Sequence, residues 1–168
     1  MAISNKVLES VTTVRFPDCD PFNHLNNARY IDYFMNARED HIWINMKFSP
    51  YIYAKEKGLS WVVGTNQIAY LKPAQLMETI VIRSTLLKLR ERDILVEMTM
   101  WNKESTVLKS VLWARFVHFN LTTQRSEIHA QSLIDTFLPW ENQIDDNIAF
   151  EMRVEQVRNI SASELYHA

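Results

Sequence analysis

Asp18-Cys19-Asp20-Pro21-Phe22-Asn23-His24-Leu25-Asn26-Asn27-Ala28-Arg29-Tyr30 sets two carboxylates, an imidazole and three carboxamides between an extended run and a strongly apolar one. A strand ending in Asp-Pro cannot continue directly as a helix, because proline disfavours the αR region in the residue before it. The polar loop then delivers the chain to Asn26-Asn27, both of a type that caps helix N-termini. A carboxylate is thereby held near the start of a helix, where free backbone N–H groups can polarise an oxygen. Acyl transfer uses such parts: a base or nucleophile beside a carbonyl, and donors aimed at its oxygen.

Working outward, Val11 to Phe16 reads as a short β-branched strand. From Asn27 to about Phe48 there is neither glycine nor proline, and Tyr30, Ile31, Phe34, Met35, Ala37, Ile42 and Ile44 recur at three- and four-residue intervals. That pattern predicts a long helix with a wide apolar face, ended by Ser49-Pro50. Tyr51 to Gly58 follows as a short helical or irregular connection. Four extended stretches come next: Trp61 to Leu71, Thr79 to Arg90, Asp93 to Trp101 and Val107 to Asn120. Ile80, Ile82, Ser84 and Leu86 share one face, as do Ile94, Val96, Met98 and Met100. In the last stretch Leu108, Leu112, Ala114 and Phe116 oppose Val111, Trp113, Val117 and Phe119. The short polar turns between the last three stretches suit antiparallel hairpins. Helix and sheet must bury their apolar faces on one another. The expectation is an α+β fold, an antiparallel sheet wrapped around one long central helix. Beyond it, Glu127 to Phe137 can form a short helix, Leu138-Pro139-Trp140 breaks it, and Ile148 to Leu165 suits either an amphipathic helix or a last strand.

The chain's 168 residues are most simply one domain, 1–168, with a core over about 11–138 and a C-terminal extension over 139–168. Apolar content of 47% and a net charge of −2 give no case for nucleic acid, and no run is long and apolar enough for a transmembrane helix. The first residues lack a signal-peptide core, so the cytoplasm is the expected compartment. One cysteine excludes an internal disulfide and a cysteine metal site, and 2 glycines exclude a glycine-rich phosphate loop. His41, His118, His129 and His167 lack metal-ligand spacing. No metal and no cofactor are expected.

Phe16-Pro17-Asp18-Cys19-Asp20-Pro21 together with Asn26-Asn27-Ala28-Arg29-Tyr30 resembles the signature of the hotdog-fold thioesterases, in particular the 4-hydroxybenzoyl-CoA thioesterase-like acyl-CoA hydrolases. His24-Leu25-Asn26-Asn27 is also similar to the loop of acyl-carrier-protein thioesterases. The resemblance implies the hotdog fold over roughly Val11 to Leu138. It implies that Asp20 is the catalytic carboxylate, acting as a general base on water or as a nucleophile giving a mixed anhydride. The plain alternative for Asp20 is a turn residue capping local N–H groups. By the same resemblance Asn27 stands where, in one branch of the family, the backbone N–H polarises the thioester carbonyl; the plain alternative, an N-cap at Asn26 or Asn27, is compatible with that role. His24 matches the acyl-carrier-protein enzymes' histidine by its four-residue offset, but their asparagine position is Phe22 here, with Asn23 one place late. His24 therefore transfers protons, or else shapes the pocket or hydrogen-bonds Asn26. Asp18 is expected to bond the loop backbone, and Cys19 to pack.

The substrate implied is an acyl-CoA or acyl-carrier-protein thioester, and the assembly a homodimer or homotetramer. Lys72, Arg83, Lys88, Arg90, Arg92 and Arg115 are available for the phosphates of CoA, and Tyr30, Phe34, Met35, Trp61, Trp101 and Trp113 for an acyl pocket. Rival readings are a non-catalytic hotdog module that binds acyl thioesters, and a dehydratase using Arg38-Glu39-Asp40-His41 on the central helix.

Overall fold

The computed structural model describes residues 6–159. His167 and the end of the Ile148 to Leu165 stretch, expected as a helix or a last strand, lie outside that range. The chain opens with β1 (Val7–Thr13), then a 3-10 turn at Phe16–Asp18 and a second at Asn27–Arg29 that leads into α1 (Tyr30–Met46). The first strand thus begins and ends earlier than Val11 to Phe16, because Pro17 favours the turn that follows it. Lys47 closes α1 in the left-handed region at φ 51°. Ser49 does more than stop this helix: its Oγ accepts from the Ile52 N–H at 3.3 Å and caps α2 (Pro50–Lys57). Gly58 then turns the chain at φ 67°, where glycine carries no Cβ penalty.

The long strands are β2 (Leu59–Tyr70), β3 (Thr79–Leu89), β4 (Asp93–Asn102) and β5 (Leu108–Asn120), followed by the two-residue β6 (Arg125–Ser126). The sheet order is β1-β3-β4-β5-β2, with β6 on β5, and every strand pairing is antiparallel. The inner face packs on α1: Ile80, Ile82 and Leu86 of β3, Val96, Met98 and Met100 of β4, and Leu112 and Ala114 of β5 enclose Tyr30 and Phe34. This is the expected hotdog architecture.

Two details depart from simple alternation. The β4–β5 register slips between Met100 and Trp101, and Leu108 joins Val111 and Trp113 on the outer face rather than Leu112 on the inner. A bulge adds a residue and exchanges faces beyond it. On α1 the buried stripe is Tyr30, Phe34, Ala37, Arg38 and His41. Ile44, in line with Tyr30 on a 3.6-residue period, sits 60% exposed in the last turn.

The outer face carries its own core. α3 (Gln131–Phe137) sends Leu133 and Phe137 into the inner cluster. The chain then breaks at Leu138–Trp140, and Glu141 bridges Leu86 on β3. It crosses to the outer side, where α4 (Phe150–Asn159) lays Phe150, Val154 and Val157 against Val81, Leu87, Trp101 and Trp113. The extension is helical here, which resolves the choice between helix and strand for these residues.

Candidate functional site

Cys19 and Leu25 form an isolated antiparallel bridge, and between them the chain folds into a miniature hairpin. The Asp20 N–H donates to the His24 carbonyl at 2.8 Å, and the Asn23 N–H to the Asp20 carbonyl at 3.0 Å. Asn23 takes the left-handed region at φ 60°, which asparagine tolerates better than most residues. The Asp20 carboxylate organises this turn with one oxygen only. Oδ1 accepts from the Phe22 N–H at 2.9 Å and the His24 N–H at 3.0 Å. Oδ2 has no partner among the described residues. The capping role and a chemical role for Asp20 therefore fall on different oxygens and are compatible.

A distant segment fixes this loop. The Leu25 N–H donates to the Ala74 carbonyl and the Leu76 N–H to the Asn23 carbonyl, both at 2.8 Å. Tyr30 Oη accepts from the Ala74 N–H at 3.0 Å, so the first residue of α1 is pinned to the same segment. Burial raises the Tyr30 phenol above its ordinary range and keeps it neutral.

The helix start is capped by Asn26, whose Oδ1 accepts from the Ala28 N–H at 3.0 Å. Asn27 is the next residue; its N–H has no partner among the described residues, and its carbonyl accepts from Tyr70 Oη at 2.9 Å. Tyr70 also meets the Tyr30 ring edge to face at 5.1 Å. Asp20, His24, Asn27, Tyr30, Tyr70 and Lys72 border one cleft of about 310 Å³. The structure thus brings Asp20, Asn27 and His24 together. The His24 side chain forms no hydrogen bond with a described residue, to Asn26 or otherwise; the backbone bridges Gln75.

Asp18 behaves differently from the expected backbone ligand. Its carboxylate accepts from Tyr33 Oη at 2.8 Å and lies 3.9 Å from Arg29 Nε, while its backbone carbonyl takes the Asn26 N–H. Cys19 packs against the inner core with its thiol toward the Arg15 carbonyl; burial first, then Asp18 and Asp20, raise its pKa. Of the six candidate cations, Arg83, Lys88, Arg90, Arg92 and Arg115 are engaged with Glu9, Asp146, Asp93, Glu91 and Asp93. Lys72 borders the cleft without an ion pair among the described residues. Trp101 and Trp113 lie on the outer face under α4, on the opposite side of the sheet from α1. Tyr70 was not among the sequence candidates; the sequence showed only its place near the end of the extended stretch closed by Lys72-Pro73, and the structure sets it beside the helix start.

The family described as thioesterase-like superfamily matches residues 14–148. A curated relative, the long-chain acyl-CoA thioesterase FadM of Escherichia coli, is 28% identical over 120 residues, covering 71% of this chain and 88% of that protein. Among solved structures, the probable thioesterase YbaW of E. coli superposes with a TM-score of 0.68 at 21% identity, over 80% of this chain and 99% of that one. A Staphylococcus aureus protein solved in complex with CoA gives a TM-score of 0.76 at 15% identity, over 90% of this chain and 95% of that one. These two show the shared fold. With the family match spanning the loop, the central helix and every strand after β1, the chain belongs to the thioesterase-like superfamily and is a hotdog-fold thioester hydrolase.

Proposed function

We propose that this protein hydrolyses acyl-CoA thioesters to the free acid and CoA, with Asp20 as the reacting carboxylate. The observation that carries the reading is the divided Asp20 side chain: Oδ1 is held by two backbone N–H groups, Oδ2 has no partner among the described residues, and Asp20 borders the same cleft as Asn27. A carboxylate positioned this way can take a proton from water as water attacks the thioester carbonyl. Alternatively Oδ2 attacks the carbonyl itself, and water then cleaves the mixed anhydride. In either route the carbon–sulfur bond breaks and the CoA sulfur leaves with the electron pair, to be protonated as the thiol. The unpartnered Asn27 N–H is the donor for the developing oxyanion. His24 shapes the cleft, and Lys72 supplies a positive charge at its edge for the CoA phosphates.

The active unit in this reading is a homodimer or larger homo-oligomer. β2 is an edge strand of the sheet, with Val62 and Val63 exposed, and Phe22 stands 77% exposed at the tip of the Asp20 loop. Open edges and apolar surface of this kind are usually covered by a partner. No described helix is long and apolar enough to cross a membrane, and the single cysteine suits the cytoplasm. The domain reading is one hotdog unit over 1–168. Purified protein assayed against acyl-CoA and acyl-carrier-protein thioesters of graded chain length, with free thiol as the readout, tests the function. Release of thiol from acyl-CoA that disappears in Asp20→Asn supports it; full activity in that variant refutes the role of Asp20.

A further inference from the structure

About two turns beyond Tyr30, α1 carries a cation into the protein. Arg38 is 5% exposed. Among the described residues its side chain makes one hydrogen bond, from Nη1 to Ser84 Oγ at 3.3 Å, and its Nε is buried without a partner. Its neighbour Glu39 is exposed and forms no ion pair with it. Burial lowers the guanidinium only to about 10, so it stays charged at neutral pH. A buried charge with no counter-charge is costly to the fold and uncommon unless something answers it.

His41, one turn further along, adds to the excess of donors. Its Nδ1 lies 2.7 Å from Ser84 Oγ. Because Ser84 Oγ already accepts from Arg38, its own proton is free to go to Nδ1. The imidazole proton then sits on Nε2, which is also buried without a partner. Burial and the Arg38 charge lower His41 to about 4, so it supplies no counter-charge and no acid at neutral pH.

Arg38 forms part of the wall of a cavity of about 270 Å³. Most of the rest is apolar: Met35, Ile42, Trp61, Ile94, Phe116 and Phe137, with Glu39 as the other charged residue of the lining. None of these residues borders the Asp20 cleft. Arg38 lies eight residues from Tyr30, about 12 Å along the helix axis. An apolar chamber with a few placed polar groups is the usual form of a small-molecule site.

We propose that this chamber binds an apolar monocarboxylic acid, its body against the aromatic wall and its carboxylate on Arg38. A carboxylate matches a guanidinium in both charge and hydrogen-bond geometry. An inorganic anion would leave the apolar wall unused, and an uncharged lipid would leave Arg38 unanswered. Glu39, in the same lining, disfavours a dianion more than a monoanion. Acids of this class are what the proposed hydrolysis releases, but occupancy of the chamber does not rest on that reaction.

Isothermal titration of the full-length protein with decanoate and decanol tests the proposal. The expected result is one decanoate per chain, with decanol at least tenfold weaker. Arg38→Met should weaken decanoate at least tenfold and leave decanol unchanged. Ile94→Phe, which fills the chamber and keeps Arg38, should block both ligands; it carries the test by itself if Arg38→Met does not fold. Asp20→Asn should bind decanoate as the unaltered protein does. Absence of decanoate binding, equal affinity for decanol, binding that survives Ile94→Phe, or binding lost in Asp20→Asn would each overturn it. Because binding is read without turnover, an inactive protein that takes up decanoate upholds this site and refutes the hydrolysis, and an active protein that takes up none does the reverse.

Discussion

Arg153 grips Glu97 through two hydrogen bonds, Nε to Oε2 at 2.9 Å and Nη2 to Oε1 at 2.8 Å, across the outer face of the sheet. Trp113 Nε1 donates to the same carboxylate at 3.0 Å. Removing one partner of a buried ion pair leaves an uncompensated charge and costs about 3–5 kcal/mol. Glu97→Ala should therefore lower the urea midpoint markedly. The double change Glu97→Leu with Arg153→Leu should recover most of that loss, because two apolar residues need no solvation. A double variant as unstable as the single one would show that shape, not charge, holds α4 in place.

Asp20→Asn should cut turnover about a hundredfold or more, the scale on which general bases act. Its stability should change little, since an asparagine Oδ1 can still accept from the Phe22 and His24 N–H groups. Asp18→Asn weakens the bond from Tyr33 Oη and the pairing with Arg29, and should cost about 1 kcal/mol with a smaller effect on rate. Thiol-release kinetics and chemical denaturation on both variants check this. The opposite ranking would mean that the two carboxylates exchange roles.

The donor at the helix start can be separated from its side chain. The capping side chain belongs to Asn26, so Asn27→Ala should leave most of the rate and stability, whereas Asn26→Ala should lose about 1 kcal/mol. Asn27→Pro deletes the N–H at a helix position that accepts proline, after an Asn26 already extended at φ −60°, ψ 134°. It should lower turnover about a hundredfold or more with its circular dichroism preserved. Equal damage from alanine and proline would assign the role to the carboxamide.

His41 makes stability depend on pH in a definite direction. Its folded pKa, about 4, lies below the ordinary 6.5, so between those values the unfolded chain binds more protons. Stability is then complete above about pH 6.5 and falls as the pH drops toward 4, by about 3 kcal/mol for this group. His118 and His129, buried and stacked at 4.8 Å, are lowered too and add in the same sense. Denaturant midpoints measured from pH 7.5 to 4.5 should fall steadily, and less steeply in His41→Asn. A midpoint independent of pH across that window would contradict the buried neutral assignment.

Light scattering should report at least a dimer at micromolar concentration. A stable, fully active monomer would remove the partner from the active unit and leave the β2 edge without its proposed cover.

Much of this architecture is readable from residue pattern. The alternation in 79–90, 93–101 and 107–120 locates β3, β4 and β5 within a residue or two, and Asp20-Pro21 marks the turn that bears the carboxylate. What alternation cannot register is a bulge, and the slip beyond Met100 is what moves Leu108 to the outer face. The outer core left a trace: Trp101, Val111 and Trp113 made the second face of the sheet too apolar for water, and that face required a cover. Arg38 and His41 entered the sequence reading as part of a rival dehydratase site; their helical phase with Tyr30 and Phe34 was the signal that they go inside. The assignment of Oδ1 to the turn and the closure of the cleft by Tyr70 depend on long-range contacts that no local pattern encodes.

The stitching of the Asp20 loop to Ala74 and Leu76 also bears on the order of events during synthesis. Asn23, Leu25 and Tyr30 take hydrogen bonds from or give them to a segment that the ribosome adds about fifty codons later. A nascent chain that has released only the motif and α1 can form the helix, but it has nothing to hold the hairpin against. Contacts so far apart in sequence are made late, after the entropy of closing the intervening loop has been overcome. The Asp20 loop would then gain its geometry only once the β2–β3 connection is in place, so an unfinished chain carries Asp20 in an unassembled setting.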